Sequence, residues 1–188
     1  MNRTLKLLIL SDIFVISGLG LIAPIFAIFI KDNLIGGNII AAGLASTIFL
    51  ITKAILQIVF TKIFNQKDRF WMLILGTVMI ILVPFFYIFA THINYIYLAQ
   101  FIYGVGAGFA HPSWSSLFTA NLEKGKRGFQ WSVYSSSVSM GTAITAYLGA
   151  IVAEYFGFQT VFIAAGIFSL IGLLILFELQ KKQIVKKI

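Results

Sequence analysis

Six long apolar runs, separated by short polar stretches, leave this chain few folds to choose from. They cover roughly residues 5–30, 39–61, 70–90, 95–118, 128–153 and 160–179. A hydrocarbon core about 30 Å thick is crossed by about 20 apolar helical residues, and each run meets that length. Backbone polar groups inside lipid must be satisfied within the structure, which leaves helices or closed barrels. No run shows the alternation of about ten residues that marks a barrel strand. The expected fold is therefore an all-α membrane protein of six transmembrane helices. The composition agrees: 60% of residues are hydrophobic and 11% charged, against about 45–50% and about 25% in a soluble domain.

The cations set the expected topology. Arg3 and Lys6 lie at the start of the first run, and Lys62, Lys67 and Arg69 lie between the second and third. Lys124, Lys126 and Arg127 separate the fourth and fifth, and Lys181, Lys182, Lys186 and Lys187 follow the sixth. Only Lys31 falls in a loop of the opposite set, while Lys53 lies within a span. Loops rich in Lys and Arg stay in the cytoplasm, so both termini are expected there, in a multi-pass protein of the cell membrane. The net charge of +8 is then an insertion signal with some attraction for anionic headgroups, and no nucleic-acid partner is expected. The first run is too long for a signal-peptide core and is expected to stay as a helix. The chain has no cysteine, which excludes disulfides and thiolate metal sites. We expect one domain, 1–188, built from two three-span units at about 1–92 and 93–182. Two odd-numbered units in sequence must insert with opposite orientations, an arrangement that recurs in transporters.

Few residues could carry chemistry. Asp12 lies on the order of 10 Å from the inner end of the first span, and Lys53 on the order of 13 Å from that of the second, at 1.5 Å per residue. An ionised side chain at such depth costs about 2.5–3.5 kcal/mol, and pairing keeps both charged. A buried Asp12–Lys53 ion pair is thus expected, either as a brace or as a proton- or substrate-sensing pair in a wet cavity. Gln100, Gly104, Ala107, His111 and Trp114 share one helical face, a face better suited to a cavity than to lipid. His111 is either a hydrogen-bonding residue or a proton relay. Gly104 and Gly108 form a GxxxG pair with Gly106 between them. Gly141, Thr145 and Gly149 repeat small residues at four-residue spacing. All are read as packing positions, with Pro24 and Pro112 as kinks or hinges. Trp71 reads as an interfacial residue, Trp114, Trp131 and Tyr134 as packing or pocket residues, and Glu154 and Glu178 as solvated helix ends. No nucleophile–base set, metal cluster or phosphate-cradling loop is present, so no enzyme activity, metal or cofactor is expected.

From Gln100 to Pro112 the chain resembles the fourth-helix motif of the major facilitator superfamily of secondary transporters, amino-terminal half, with Gln100 where an Arg is usual. Arg127-Gly128 after Glu123 resembles the following loop. Gly141 to Gly149 resembles the fifth-helix antiporter motif, with Thr145 and Ala146 in place of Gly-Pro. Gly18 and Pro24 resemble a first-helix drug-exporter pattern, with Ala27 where a second Pro is usual. Between the second and third spans, Thr61 to Arg69 occupies the family's loop motif: Thr61 and Asp68 replace glycines, Asn65 replaces an Asp, and Arg69 matches. The resemblance implies an inverted three-plus-three bundle whose first, second, fourth and fifth spans face the cavity and a second half. It places Asp12, Lys53, Gln100, His111 and Trp114 near a transport path and Asn65, Asp68, Arg69 and Arg127 in cytoplasmic loops. Family members usually have twelve spans. The favoured expectation is a half-transporter, drug-exporter-like (efflux) in its resemblance, that moves a small solute by alternating access with a second six-helix half (a homodimer or a separately encoded chain), its direction left open by the sequence. The alternatives are a non-transporting membrane assembly module and a truncated fragment.

Overall fold

The computed structural model describes residues 1–64 and 68–185, with side chains to Leu179. Among the described residues there are seven helices and no strand: α1 Arg3–Ile22, α2 Phe26–Asn33, α3 Ile39–Ile63, α4 Arg69–Ile88, α5 Ile93–Ala120, α6 Arg127–Phe156 and α7 Phe158–Val185. The first apolar run is thus two helices. Pro24 has no N–H to continue the ladder, and the Ile25 N–H turns back to the Ile22 carbonyl at 3.1 Å. The remaining runs are single helices, and α5 passes Pro112 without a break.

Five helices, α1, α3, α4, α6 and α7, are long and apolar enough to cross a membrane. The sixth expected span, α5, has 28 residues but falls short in apolarity. Asn94, Gln100, His111 and its glycines dilute its aliphatic content.

Local capping explains the helix starts. Asn2 Oδ1 accepts from the Leu5 N–H at 2.7 Å and Asn38 Oδ1 from the Ala41 N–H at 2.8 Å, satisfying orphan first-turn donors. His92 does the same for α5 through Nδ1, 3.2 Å from the Asn94 nitrogen.

α1 packs chiefly on α6 and α7, α5 on α4 and α3, and α4 also on α7. Two apolar clusters hold the bundle, one near each end. The first gathers Phe29, Ile30, Val83, Ile96 and Phe162. The second gathers Leu5, Leu8, Leu73, Phe118 and Leu176. At the first end, Ile35 exchanges backbone hydrogen bonds with Thr91 (3.0 Å) and Ile93 (3.1 Å), tying two loops together. At the other end, Arg3 pairs with Glu178 at 3.1 Å and the Met1 amino group with Glu123 at 2.8 Å. Glu178, expected to be simply solvated, is therefore an ion-pair partner, because α1 begins where α7 approaches its end. The hydrogen bond from the amino terminus is the main cause that holds the Glu123 carboxyl below the usual carboxylate range.

Glycine decides how closely the helices cross. A Cβ on Gly104 would lie 2.6 Å from Thr52 Cβ, and one on Gly108 3.0 Å from Leu56 Cβ, both on α3. A Cβ on Gly106 would lie 2.9 Å from the Gly76 carbonyl oxygen of α4. The three glycines of α5 therefore admit two neighbours from different sides. On α6, a Cβ on Gly141 would lie 2.6 Å from Ser17 Oγ and one on Gly149 would collide with the Leu21 carbonyl, both on α1. Only 17% of the α3 span and 11% of the α6 span are buried, against 56% of α1 and of α4. These two helices carry the open faces of the bundle.

Candidate functional site

A cavity of about 610 Å³ lies inside the bundle, walled by α1, α3, α4, α5 and α6 and touched by Phe26 of α2 and Leu176 of α7. Asp12, Lys53, Gln100, His111 and Trp114 all line it. The structure thus brings together five residues that the sequence scatters over three spans.

Asp12 and Lys53 do not form the expected ion pair. The Asp12 carboxylate accepts instead from the Tyr134 hydroxyl of α6, at 2.6 Å. The Lys53 ammonium lies over the Phe49 ring, 6.0 Å from its centroid, a cation–π arrangement. Equal depth in two helices sets equal height and says nothing of direction around each axis. Here α1 packs mainly on α6 and α7, and α3 mainly on α5, so each charge is held by a different neighbour.

Gln100 is buried, and its Nε2 donates to the Tyr87 hydroxyl at 3.0 Å. Its Oε1 is buried without a partner among the described residues. Trp114 is also buried; its Nε1 donates to the Leu8 carbonyl at 3.3 Å. Its ring stacks on Phe118 at 4.6 Å and tilts against Tyr134 at 4.5 Å. Trp131 closes the same aromatic cluster against Phe118 at 4.9 Å, so Trp131 and Tyr134 stiffen the wall beside Asp12. His111 is exposed and faces the cavity without a hydrogen bond among the described residues. Gly104, assigned to the same face as Gln100 and His111, is not a lining residue; it is taken up by Thr52.

The loop candidates lie elsewhere. Asp68 is exposed and precedes α4 without capping it. Arg69 opens α4, with a buried Nε that has no partner among the described residues. Arg127 opens α6 and is exposed. Asn65 lies outside the described residues, as do Gln66, Lys67, Lys186 and Lys187.

Sequence reasoning missed several lining groups: Ser11, Ser46, Thr77, Tyr87, Tyr103 and Thr142. Tyr103 had a usable signal, since it follows Gln100 by three positions and so shares its face. It stacks on Phe49 at 4.0 Å. Tyr87 had none, because only the tertiary fold brings it to Gln100. Among the described residues no cluster of His, Asp and Glu could hold a metal ion.

Membrane-length helices around a cavity that mixes carboxylate, ammonium, amide and phenol groups with apolar surface define a multi-span membrane protein. The Major Facilitator Superfamily family model matches residues 8–187, and the chain belongs to that family. It is a multi-pass protein of the plasma membrane, and the family's members are secondary carriers, not enzymes. The multi-drug resistance efflux pump PmrA of Streptococcus pneumoniae is 27% identical over 154 residues, which are 81% of this chain and 38% of the pump. The PmrA homolog of Lactococcus lactis is 23% identical over 167 residues, 88% of this chain and 41% of that protein. The MFS-type transporter MJ1560 of Methanocaldococcus jannaschii is 24% identical over 161 residues, 84% of this chain and 40% of that protein. The crystal structure of the POT family transporter PepTSo superposes with a TM-score of 0.77 and 15% identity, over 96% of this chain and 38% of that one; that likeness concerns the fold. The chain spans about two-fifths of the length of these relatives.

Proposed function

We propose that this chain is one six-helix half of a secondary transporter that exports a small amphipathic solute by alternating access, working with a second six-helix body. The observation that carries this reading is the cavity: five polar or aromatic candidates from α1, α3 and α5 converge on one space in the bundle. Its volume of about 610 Å³ falls within the range of about 300–1,000 Å³ that encloses drug-sized ligands.

The packing pairs support an inverted three-plus-three repeat, with units about 1–92 and 93–182. α1 holds α6 and α7 in one direction, and α5 holds α3 and α4 in the other. In this reading α1 with α2, α3 and α4 form the first unit, and α5, α6 and α7 the second. Both termini are cytoplasmic, on the side of the basic loops. Asp12, Lys53, Gln100, His111 and Trp114 line the transport path. Pro24 and Pro112 serve as hinges, and Asp68, Arg69 and Arg127 belong to the cytoplasmic loops.

A second body is supported by the surface of α6. Ser132, Ser135, Ser136 and Ser139 are all exposed and lie on one face at helical spacing, where lipid would leave their hydroxyls to local partners. The partner is a second copy or a separately encoded half. Outward direction rests on the likeness to the efflux pumps.

Proteoliposomes test the reading. The chain is reconstituted alone and co-expressed with a six-helix partner, and movement of amphipathic cationic, anionic and neutral dyes is followed with and without a pH gradient. We expect flux that Asp12→Asn lowers at least tenfold while the protein stays monodisperse. Absence of flux for the whole dye panel in both preparations refutes transport, and equal flux with and without the gradient refutes proton coupling.

A further inference from the structure

The cavity contains one carboxylate and one ammonium that leave each other alone. Asp12 sits on the α1–α6 side, fixed by the Tyr134 hydroxyl at 2.6 Å. One such bond leaves most of the carboxylate's acceptor capacity open. Lys53 sits on the α3–α5 side, over Phe49, and His111 lines that same wall. No ion pair within 4.0 Å involves either residue among the described residues. Two opposite charges that share a half-buried cavity attract each other. Keeping them apart on separately anchored helices leaves a space with a negative and a positive pole. The lining also offers apolar and aromatic surface, from Phe49, Ile80, Tyr103 and Trp114, beside polar groups such as Thr77 and Gln100.

We propose that these poles are the two ends of one binding site and that its solute is a zwitterionic amphiphile, with an ammonium on Asp12, an acid group at Lys53 and an apolar body between them. This deepens the transport reading and rests on it. A simple cation would satisfy Asp12 and be repelled by Lys53; a simple anion would meet the reverse. Only a dipolar solute compensates both charges and leaves the net charge of the occupied cavity equal to that of the empty one. The aromatic walls supply stacking surface and cation–π contact near the ammonium.

Three fluorescent probes of one shape test this with the purified full chain in nanodiscs. Nε-dansyl lysine is zwitterionic, its methyl ester is cationic, and its α-N-acetyl derivative is anionic. We expect the zwitterion to bind at least tenfold more tightly than either relative. Asp12→Asn should erase its advantage over the acetyl derivative, and Lys53→Gln its advantage over the ester. Should either variant fail to fold, the ranking of the three probes on the unsubstituted chain still decides. Equal affinities, or tightest binding by the ester or the acetyl derivative, overturn the proposal. If the ester binds best and is carried into proteoliposomes, the zwitterion site falls while the carrier reading stands. If no probe binds, the zwitterion site falls, and the carrier reading falls with it only if the dye panel also shows no flux.

Discussion

Gly106→Ala is the sharpest test of how this bundle is held together. A Cβ at position 106 would stand 2.9 Å from both the Gly76 carbonyl oxygen and Met79 Cβ, and 3.3 Å from Ile80 Cγ1. Ordinary contact begins at 3.4 Å, and one obstructing atom is backbone, so α4 and α5 must part by about 0.5 Å or more. A gap of about 0.5–1 Å forfeits about a quarter to a half of each dispersion well of about 0.15 kcal/mol. A crossing that engages on the order of 40 atom pairs then loses about 1.5–3 kcal/mol, within the about 1–3 kcal/mol seen for overpacked sites. Alanine recovers about 1 kcal/mol of helix propensity, which leaves a net loss of about 0.5–2 kcal/mol. Gly43→Ala on α3 is the matched control. A Cβ there meets nothing within 4 Å, so only the propensity gain of up to about 1 kcal/mol applies. Unfolding of both variants by SDS in mixed micelles, followed by tryptophan fluorescence, gives the comparison. The reasoning is refuted if Gly106→Ala unfolds at the same SDS fraction as Gly43→Ala or a higher one.

Tyr134→Phe removes the hydroxyl that donates to the half-buried Asp12 carboxylate, so a stability loss of about 0.5–1.5 kcal/mol is expected. Asp12→Asn retains an acceptor for the same hydroxyl and should melt closer to the parent; the reverse order in a thermal melt would show that the bond does not brace α1 against α6. Topology is testable against a clean background, because the chain has no cysteine of its own. A membrane-impermeant maleimide added to intact cells should label Asn38→Cys and spare Lys124→Cys, and labelling of Lys124→Cys from outside would overturn the assignment of the basic loops to the cytoplasm.

Features that depend on local composition were legible before any fold was known. Span lengths and the clustering of basic residues in alternate loops are properties of single segments. The break after α1 was half legible: Pro24 was visible, but the apolar run continued past it and hid two helices in one span. Depth along a helix gave Asp12 and Lys53 the same height. Azimuth was not available, so the expected ion pair gave way to Tyr134, 122 residues from Asp12. The glycines of α5 were recognisable as packing positions, yet their sorting between α3 and α4 required the arrangement of both neighbours. Gln100 stood out as a missing Arg, while its partner Tyr87 lies on α4, and nothing local to either residue announces the bond.

The interruption at Pro24 frees two main-chain acceptors. Pro24 has no hydrogen for the Gly20 carbonyl, and the Ile25 N–H that would reach Leu21 is spent on Ile22. Gly20, Ile22 and Ala23 border the cavity, so the negative end of the α1 macrodipole lies at its rim. Such a pole has no proton to lose and no side chain to mutate. Were every ionisable group in the cavity replaced, the rim would still attract water and hydrogen-bond donors.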